Sequence, residues 1–160
     1  MHRRAGPGVC RRLAAALALA MAAASAAAAP GIAVIVRPGG ARDALDAATV
    51  ANIFRRRILV DGNGLAWAPV NLPARHPLRA AFSQAVLHRT PQALEAYWNE
   101  LYFQGISPPH VLASPAAVRR FVAATPGAIG YVPDCALDGS VAVVLRIPLD
   151  ADLAVDCTAP

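Results

Sequence analysis

The sequence contains no lysine, and the motifs that usually announce a catalytic centre are missing. A phosphate loop that ends in Gly-Lys-Ser/Thr is therefore absent. Gly-x-Ser-x-Gly, His-Glu-x-x-His and Cys-x-x-Cys do not occur, and His76, His88 and His110 lack the spacing of metal ligands. We expect no catalytic residues, no metal site and no cofactor, and hence no enzyme activity.

Acidic residues are absent from positions 1–29, which carry four arginines followed by a run of Leu, Ala and Met. A basic start, a short apolar run and then small residues are typical of a secretory signal peptide. The run is too short and alanine-rich for a stable membrane span, which needs about 20 strongly apolar residues; an uncleaved anchor is the alternative. We expect cleavage between Ala26 and Pro30, by the general secretory or the twin-arginine route, and one periplasmic or secreted domain at 30–160.

The positive charge of the chain lies largely in this N-terminal segment. The formal net charge is +5 for the whole sequence. Without those four arginines, eleven arginines and ten acidic residues remain, a net charge of +1. A nearly neutral mature chain does not favour nucleic-acid binding. The cluster of Arg55, Arg56 and Arg57 fits either a solvated helix end, which also suits the helix dipole, or a patch that binds polyanions.

Cysteines are few, and their positions favour one disulfide. Cys10 precedes the apolar run and would leave with the signal peptide, so Cys135 and Cys157 remain. An even pair in an oxidising compartment favours a bond between them. Two free thiols are the alternative.

Strand-like and helix-like segments alternate along the chain. A continuous β-branched apolar run indicates a buried strand, Asp-Gly-Asn-Gly between apolar runs indicates a hairpin, and Thr90 and Ser114 are each followed by proline as helix starts. The pattern predicts strands at 31–36, 128–132 and 141–147, a hairpin within 58–73, and helices within 44–56, 76–89, 90–105 and 114–127. It predicts a single three-layer α/β domain with a mixed sheet.

Each of the last three predicted helices has an apolar stripe at helical spacing, which we expect to face the core. The residues of these stripes are Leu78, Phe82, Ala85 and Val86, then Leu94, Tyr97, Trp98 and Leu101, and last Val118, Phe121 and Val122.

Five segments in a fixed order resemble a known family: VANIFRR, DGNGLAWAPVNLP, LRAAFSQAVL, YWNELYFQG followed by SPP, and TPGAIGYV. Together they look like the second lobe of phosphate-type periplasmic solute-binding proteins. They look still more like the small, single-domain secreted proteins related to that lobe. The resemblance covers about residues 45–133, and it implies that 30–160 form one lobe of the type 2 periplasmic-binding fold.

The same resemblance gives the segment TPGAIGYV a structural role. It implies that Gly127 ends a helix, that Gly130 makes room inside a strand, and that Tyr131 supplies an apolar ring with a polar tip. A phosphate loop would instead lead into a helix and carry a lysine, whereas these glycines precede a strand-like run.

The chain departs from the family at the anion site. Phosphate-binding members place an arginine and a Ser-Gly-Thr turn at the start of the helix that corresponds to RAAF here. In this chain Arg75, His76 and Arg79 keep positive charge near that helix start, but the hydroxyl cradle is absent and Pro77 has no N–H. We expect an anion site at these three residues to bind phosphate or sulfate weakly.

The sequence leaves two functions open. One is a solute-binding-like domain related to phosphate ABC transporter substrate-binding proteins. The other is a non-catalytic module that binds an envelope protein, or a second copy of itself, and has lost the ligand pocket. A concave helix start lined by arginines favours the first, and an exposed apolar strip favours the second.

Overall fold

The structure, a computed structural model, describes residues 31–40 and 44–149. In this part of the chain the strands are β1 (Gly31–Val36), β2 (Ala68–Asn71), β3 (His110–Val111), β4 (Ala128–Pro133) and β5 (Ala142–Pro148). The helices are α1 (Ala47–Phe54), α2 (Pro77–Leu87), α3 (Pro91–Tyr102) and α4 (Pro115–Ala124), and a 3-10 turn covers Asp134–Ala136.

Two of the sequence predictions fall outside the described residues. Positions 1–29 are among them, so the signal peptide stays a prediction. Cys135 lies in the turn after β4, but Cys157 is outside the described part, and the disulfide between them also stays a prediction.

The described strands form one mixed sheet in the order β3-β2-β4-β1-β5. β1 runs antiparallel to both β4 and β5, whereas β2 runs parallel to both β3 and β4. The C-terminal ends of β2 and β4 therefore lie at the same edge, and α2 begins at that edge because it follows β2. All six residues of β1 are buried, which explains its unbroken apolar sequence.

Helices cover both faces of the sheet, as the neighbours of Gly130 and Tyr131 show. Successive strand residues point to opposite faces. A Cβ atom at Gly130 would meet Val118 and Val122 of α4, whereas the ring of Tyr131 contacts Phe54 of α1 and Phe82 of α2. The predicted three-layer α/β domain with a mixed sheet is confirmed.

Side chains cap the helices at the positions that the sequence indicates. Thr90 Oγ1 accepts the Ala93 N–H at 3.1 Å, and Ser114 Oγ accepts the Ala117 N–H at 3.2 Å. Both helices then begin with proline, whose missing N–H costs nothing in the first turn. The chain leaves α3 through Gly105, which has a left-handed φ of 78°.

The predicted inner face of α2 is partly wrong. Leu78, Phe82 and Val86 are buried, but Ala85 is exposed. Burial extends instead to Arg79 and Ser83, because the helix packs along two adjacent rows of side chains, 78–82–86 and 79–83–87. One of these rows brings polar groups into the core.

The predicted hairpin is short. Val60 and Ala66 form a single antiparallel bridge, and Asp61 Oδ1 accepts the N–H groups of Asn63 and Leu65, each at 2.8 Å. The chain then continues into β2. The two-residue β3 was not predicted, because a strand of this length has no periodicity to detect.

Close packing accounts for the two glycines of TPGAIGYV. Gly127 follows α4 with a φ of 75°, and a Cβ there would clash with the carbonyl oxygen of Ala66. A Cβ at Gly130 would lie 2.5 Å from Val118 Cγ1 and 2.9 Å from Val70 Cγ2. Neither position has room for a side chain, so α4 and the hairpin approach the sheet closely.

Candidate anion site at the start of helix α2

The first turn of α2 is fully hydrogen-bonded by His76. Its Nδ1 accepts the Leu78 N–H at 3.2 Å, and its carbonyl oxygen accepts the Arg79 and Ala80 N–H groups at 2.9 and 3.2 Å. Pro77, the first helical residue, has no N–H. The helix start is therefore not an open backbone cradle, and an anion would compete with the imidazole for the Leu78 N–H.

Partial burial helps His76 to cap the helix. Desolvation lowers the pKa of His76 from its ordinary value, because burial disfavours the charged ring. The neutral ring keeps a lone pair on Nδ1, and this lone pair accepts the Leu78 N–H. The structure thus gives His76 a capping role at this helix start.

Arg75 and Arg79 lie in different environments although both are close to the helix start. Arg75 is exposed, whereas Arg79 retains only 8% of its exposed surface. The Nε and Nη1 atoms of Arg79 are buried and have no hydrogen-bond partner among the described residues. Desolvation lowers the pKa of Arg79, and its interaction with Tyr131 opposes that shift.

Ser83 adds a third unpaired polar atom to the same face of α2. Its side chain is completely buried, and its Oγ has no partner in the described part of the chain. Ser83 lies four residues after Arg79, so the two side chains are neighbours on the helix surface. Buried polar groups are nearly always paired, and unpaired ones often mark a place for a water molecule or an ion. Sequence reasoning missed Ser83, although its spacing from Arg79 was a usable signal.

Tyr131 packs against α2 on the side that faces the sheet, but it does not neutralise the charge of Arg79. Its hydroxyl donates to Asn71 Oδ1 at 3.1 Å and accepts the Leu72 N–H at 3.4 Å. Burial raises the pKa of Tyr131 well above its ordinary value, and Arg79 lowers it by a smaller amount. The phenol therefore stays neutral, and the Arg79 guanidinium keeps its charge without an anionic partner among the described residues.

Away from the start of α2, cavities in the described part of the chain include the following two. One, of about 170 Å³, is lined by Arg55, Arg57, Arg89, Leu94 and Tyr97. The other, of about 660 Å³, lies between the loop after β1 and the hairpin, with Gly39, Asp61 and Trp67 among its lining residues. Neither is lined by Arg75, His76 or Arg79.

Residues 31–40 and 44–149 contain neither a candidate metal-binding cluster nor a candidate membrane span. Within these ranges no group of three or more His, Cys, Asp or Glu side chains is placed to hold a metal ion. Over the same ranges, no helix has the length and apolar character needed to span a membrane.

Solved structures share this architecture. One, described as a phosphate ABC transporter substrate-binding protein from Clostridium perfringens with bound phosphate, has a TM-score of 0.60 and 21% identity. The chain has the fold of one lobe of such receptors. A phosphate transport receptor from Vibrio cholerae matches with a TM-score of 0.59 and 18% identity, and PstS from Borrelia burgdorferi matches with a TM-score of 0.57 and 14% identity.

The match to this receptor lobe is structural. Each comparison covers 72% of this chain but only 45%, 46% and 47% of the respective receptors, so the chain spans less than half of their length. No protein-family model and no curated protein matches the sequence. At these identities the comparisons establish the fold alone.

Proposed function

We propose that this chain is a periplasmic or secreted solute-binding-like domain, related to phosphate ABC transporter substrate-binding proteins, that binds a small oxyanion weakly. The observation that carries the proposal is the buried Arg79 guanidinium, whose Nε and Nη1 have no acceptor among the described residues. Phosphate or sulfate oxygens would accept these two N–H groups and balance the charge. Ser83 Oγ could donate a further hydrogen bond on the same helix face.

The fold supports this class of ligand. The similar structure from Clostridium perfringens contains bound phosphate, and the one from Vibrio cholerae is a phosphate transport receptor. In open α/β sheets ligands bind outside the C-terminal ends of strands. Arg79 belongs to the helix that begins at that edge, directly after β2.

Three features make the proposed binding weak. The amides of the first turn are already paired with His76. Arg79 is only 8% exposed, so an anion must lose most of its water to reach it. The matched fold also spans less than half of each receptor. We propose binding without catalysis, in the millimolar range, which corresponds to about 4 kcal/mol.

A partner-binding module is the second candidate. Tyr102, Phe103 and Val111 are exposed by 68%, 88% and 61%, and large apolar side chains at the surface favour protein contacts. The partner would be an envelope protein. Calorimetric titration with phosphate and sulfate at low ionic strength separates the two candidates, because anion binding that Arg79→Met removes supports the first, whereas the complete absence of anion binding would leave only the partner-binding function.

A further inference from the structure

The smaller cavity lies at the opposite end of α2 from the proposed anion site. Its polar lining consists of Arg55, Arg57, Arg89 and Tyr97, with Leu94 as an apolar wall. Arg89 follows the C-terminal end of α2, and Arg79 lies in its first turn. The eleven residues of this helix span about 16 Å, so the two regions are separate.

Two unusual backbone conformations direct the chain around this cavity. Arg56, just after α1, has a φ of 59°, and His88, just after α2, has a φ of 53°. They are the non-glycine residues with positive φ in the described part of the chain. Such conformations are uncommon for residues with a side chain. Arg56 lies between Arg55 and Arg57, and His88 precedes Arg89, so both turns are next to lining arginines.

Hydrogen bonds hold one wall of the cavity in place. Arg55 Nη2 donates to the carbonyl oxygen of Leu87 at 2.6 Å, which joins the ends of α1 and α2. The Tyr97 hydroxyl donates to the carbonyl oxygen of Arg55 at 2.9 Å, which joins α3 to the same point. Arg55 is thus fixed beside the cavity.

The other two arginines are exposed and keep their donors available. The side chains of Arg57 and Arg89 make no hydrogen bond or ion pair with any described residue. The ion pairs of the described ranges join Arg119 to Asp138 and Arg146 to Asp134, and no acidic residue lines the cavity. Three like charges around one small space repel each other, and an anion bound between them would offset this repulsion.

We propose that this cavity is a second site for a small tetrahedral oxyanion of the phosphate or sulfate class. Arg57 and Arg89 would bind the oxygens through their planar N–H forks, and Arg55 would add positive charge from its fixed position. A cavity of about 170 Å³ suits a single compact anion. This site does not depend on the proposed function, since it contains neither Arg79 nor Ser83.

Backbone amide chemical shifts of the full chain test the proposal, with inorganic phosphate and sulfate as probes and sodium chloride at equal ionic strength as reference. We expect the amide signals of residues 55–57, 88–90 and 92–94 to shift. The double variant Arg57→Gln/Arg89→Gln should weaken phosphate binding, measured from the titration of these shifts, by about tenfold. It removes both guanidinium groups that have no partner among the described residues. The matched control Arg37→Gln/Arg120→Gln removes the same charge from exposed positions elsewhere and should bind like the original chain.

Three outcomes would overturn this second site. Equal shifts with chloride would show a general ionic effect, equal weakening in the control pair would show a net-charge effect, and unchanged phosphate shifts in Arg57→Gln/Arg89→Gln would exclude these side chains. Arg79→Met should leave the phosphate-induced shifts at 88–90 and 92–94 unchanged, so failure of one anion site is distinguishable from failure of the other. Thermal melts of every variant verify that it is folded.

Discussion

The ring of Tyr131 stacks on the ring of Phe82, with centroids 3.9 Å apart and planes 6° from parallel. This contact joins β4 to α2, and it holds the Tyr131 hydroxyl between Asn71 Oδ1 and the Leu72 N–H. Tyr131 therefore helps to position α2, and with it Arg79, beside the sheet. Its ring packs on the helix while its hydroxyl is fully hydrogen-bonded.

Removing only the hydroxyl tests this relationship. Tyr131→Phe keeps the ring stacking but leaves the Leu72 N–H and Asn71 Oδ1 without the partner they share. We expect a loss of about 1–3 kcal/mol in the free energy of unfolding, measured by urea denaturation. Tyr102→Phe, at a residue that is 68% exposed, is the control and should change stability little. Equal stability of the two variants would show that the hydroxyl is not structurally important.

Gly130 tests how closely α4 packs on the sheet. Gly130→Val should destabilise the protein by about 1–3 kcal/mol or more, because the added atoms overlap Val118 and Val70. Gly62→Ala is the control, since a Cβ there meets nothing within 4 Å. Val118→Ala should partly restore the stability of a Gly130→Ala protein, because it removes the Val118 Cγ1 methyl group that overlaps the added Cβ. A melting temperature of Gly130→Val equal to that of the original chain would contradict the close packing.

The lowered pKa of His76 predicts a specific pH dependence of the free energy of unfolding. Burial lowers its pKa in the folded state, so the unfolded chain binds a proton more readily. The stabilising contribution is complete above the unfolded pKa of about 6.5 and is lost as the pH falls through the lower, folded pKa. His76→Asn can still cap the helix but does not titrate. Below about pH 6.5, we expect the free energy of unfolding to fall more steeply with decreasing pH for the original chain than for His76→Asn. Parallel pH dependences of the two proteins would contradict this.

The sequence predicted the architecture better than the site, for physical reasons. The β-branched run of β1 and the Thr90-Pro91 and Ser114-Pro115 pairs are local signals, and the structure has the corresponding strand and helix starts. The burial of Arg79 and Ser83 depends on how α2 is rotated against the sheet.

A local hydrogen bond and partial burial also decide what the helix start offers to a ligand. The sequence indicated positive charge at His76. The structure shows instead an imidazole that accepts the Leu78 N–H. That hydrogen bond depends on the side-chain conformation and on the partial burial that lowers the pKa of His76, and residue types alone determine neither.

The pairing of an oxyanion with Arg79 is the central claim, and phosphate titration at low salt tests it most directly. Using a chain with Arg57→Gln/Arg89→Gln as the parent removes the proposed second site. We predict millimolar binding that weakens as sodium chloride rises. Adding Arg79→Met should abolish binding and leave stability equal or higher, because it removes a buried unpaired charge, whereas adding Arg120→Met should preserve binding. Undiminished phosphate binding by a folded Arg79→Met protein, or micromolar binding by the parent, would contradict the account.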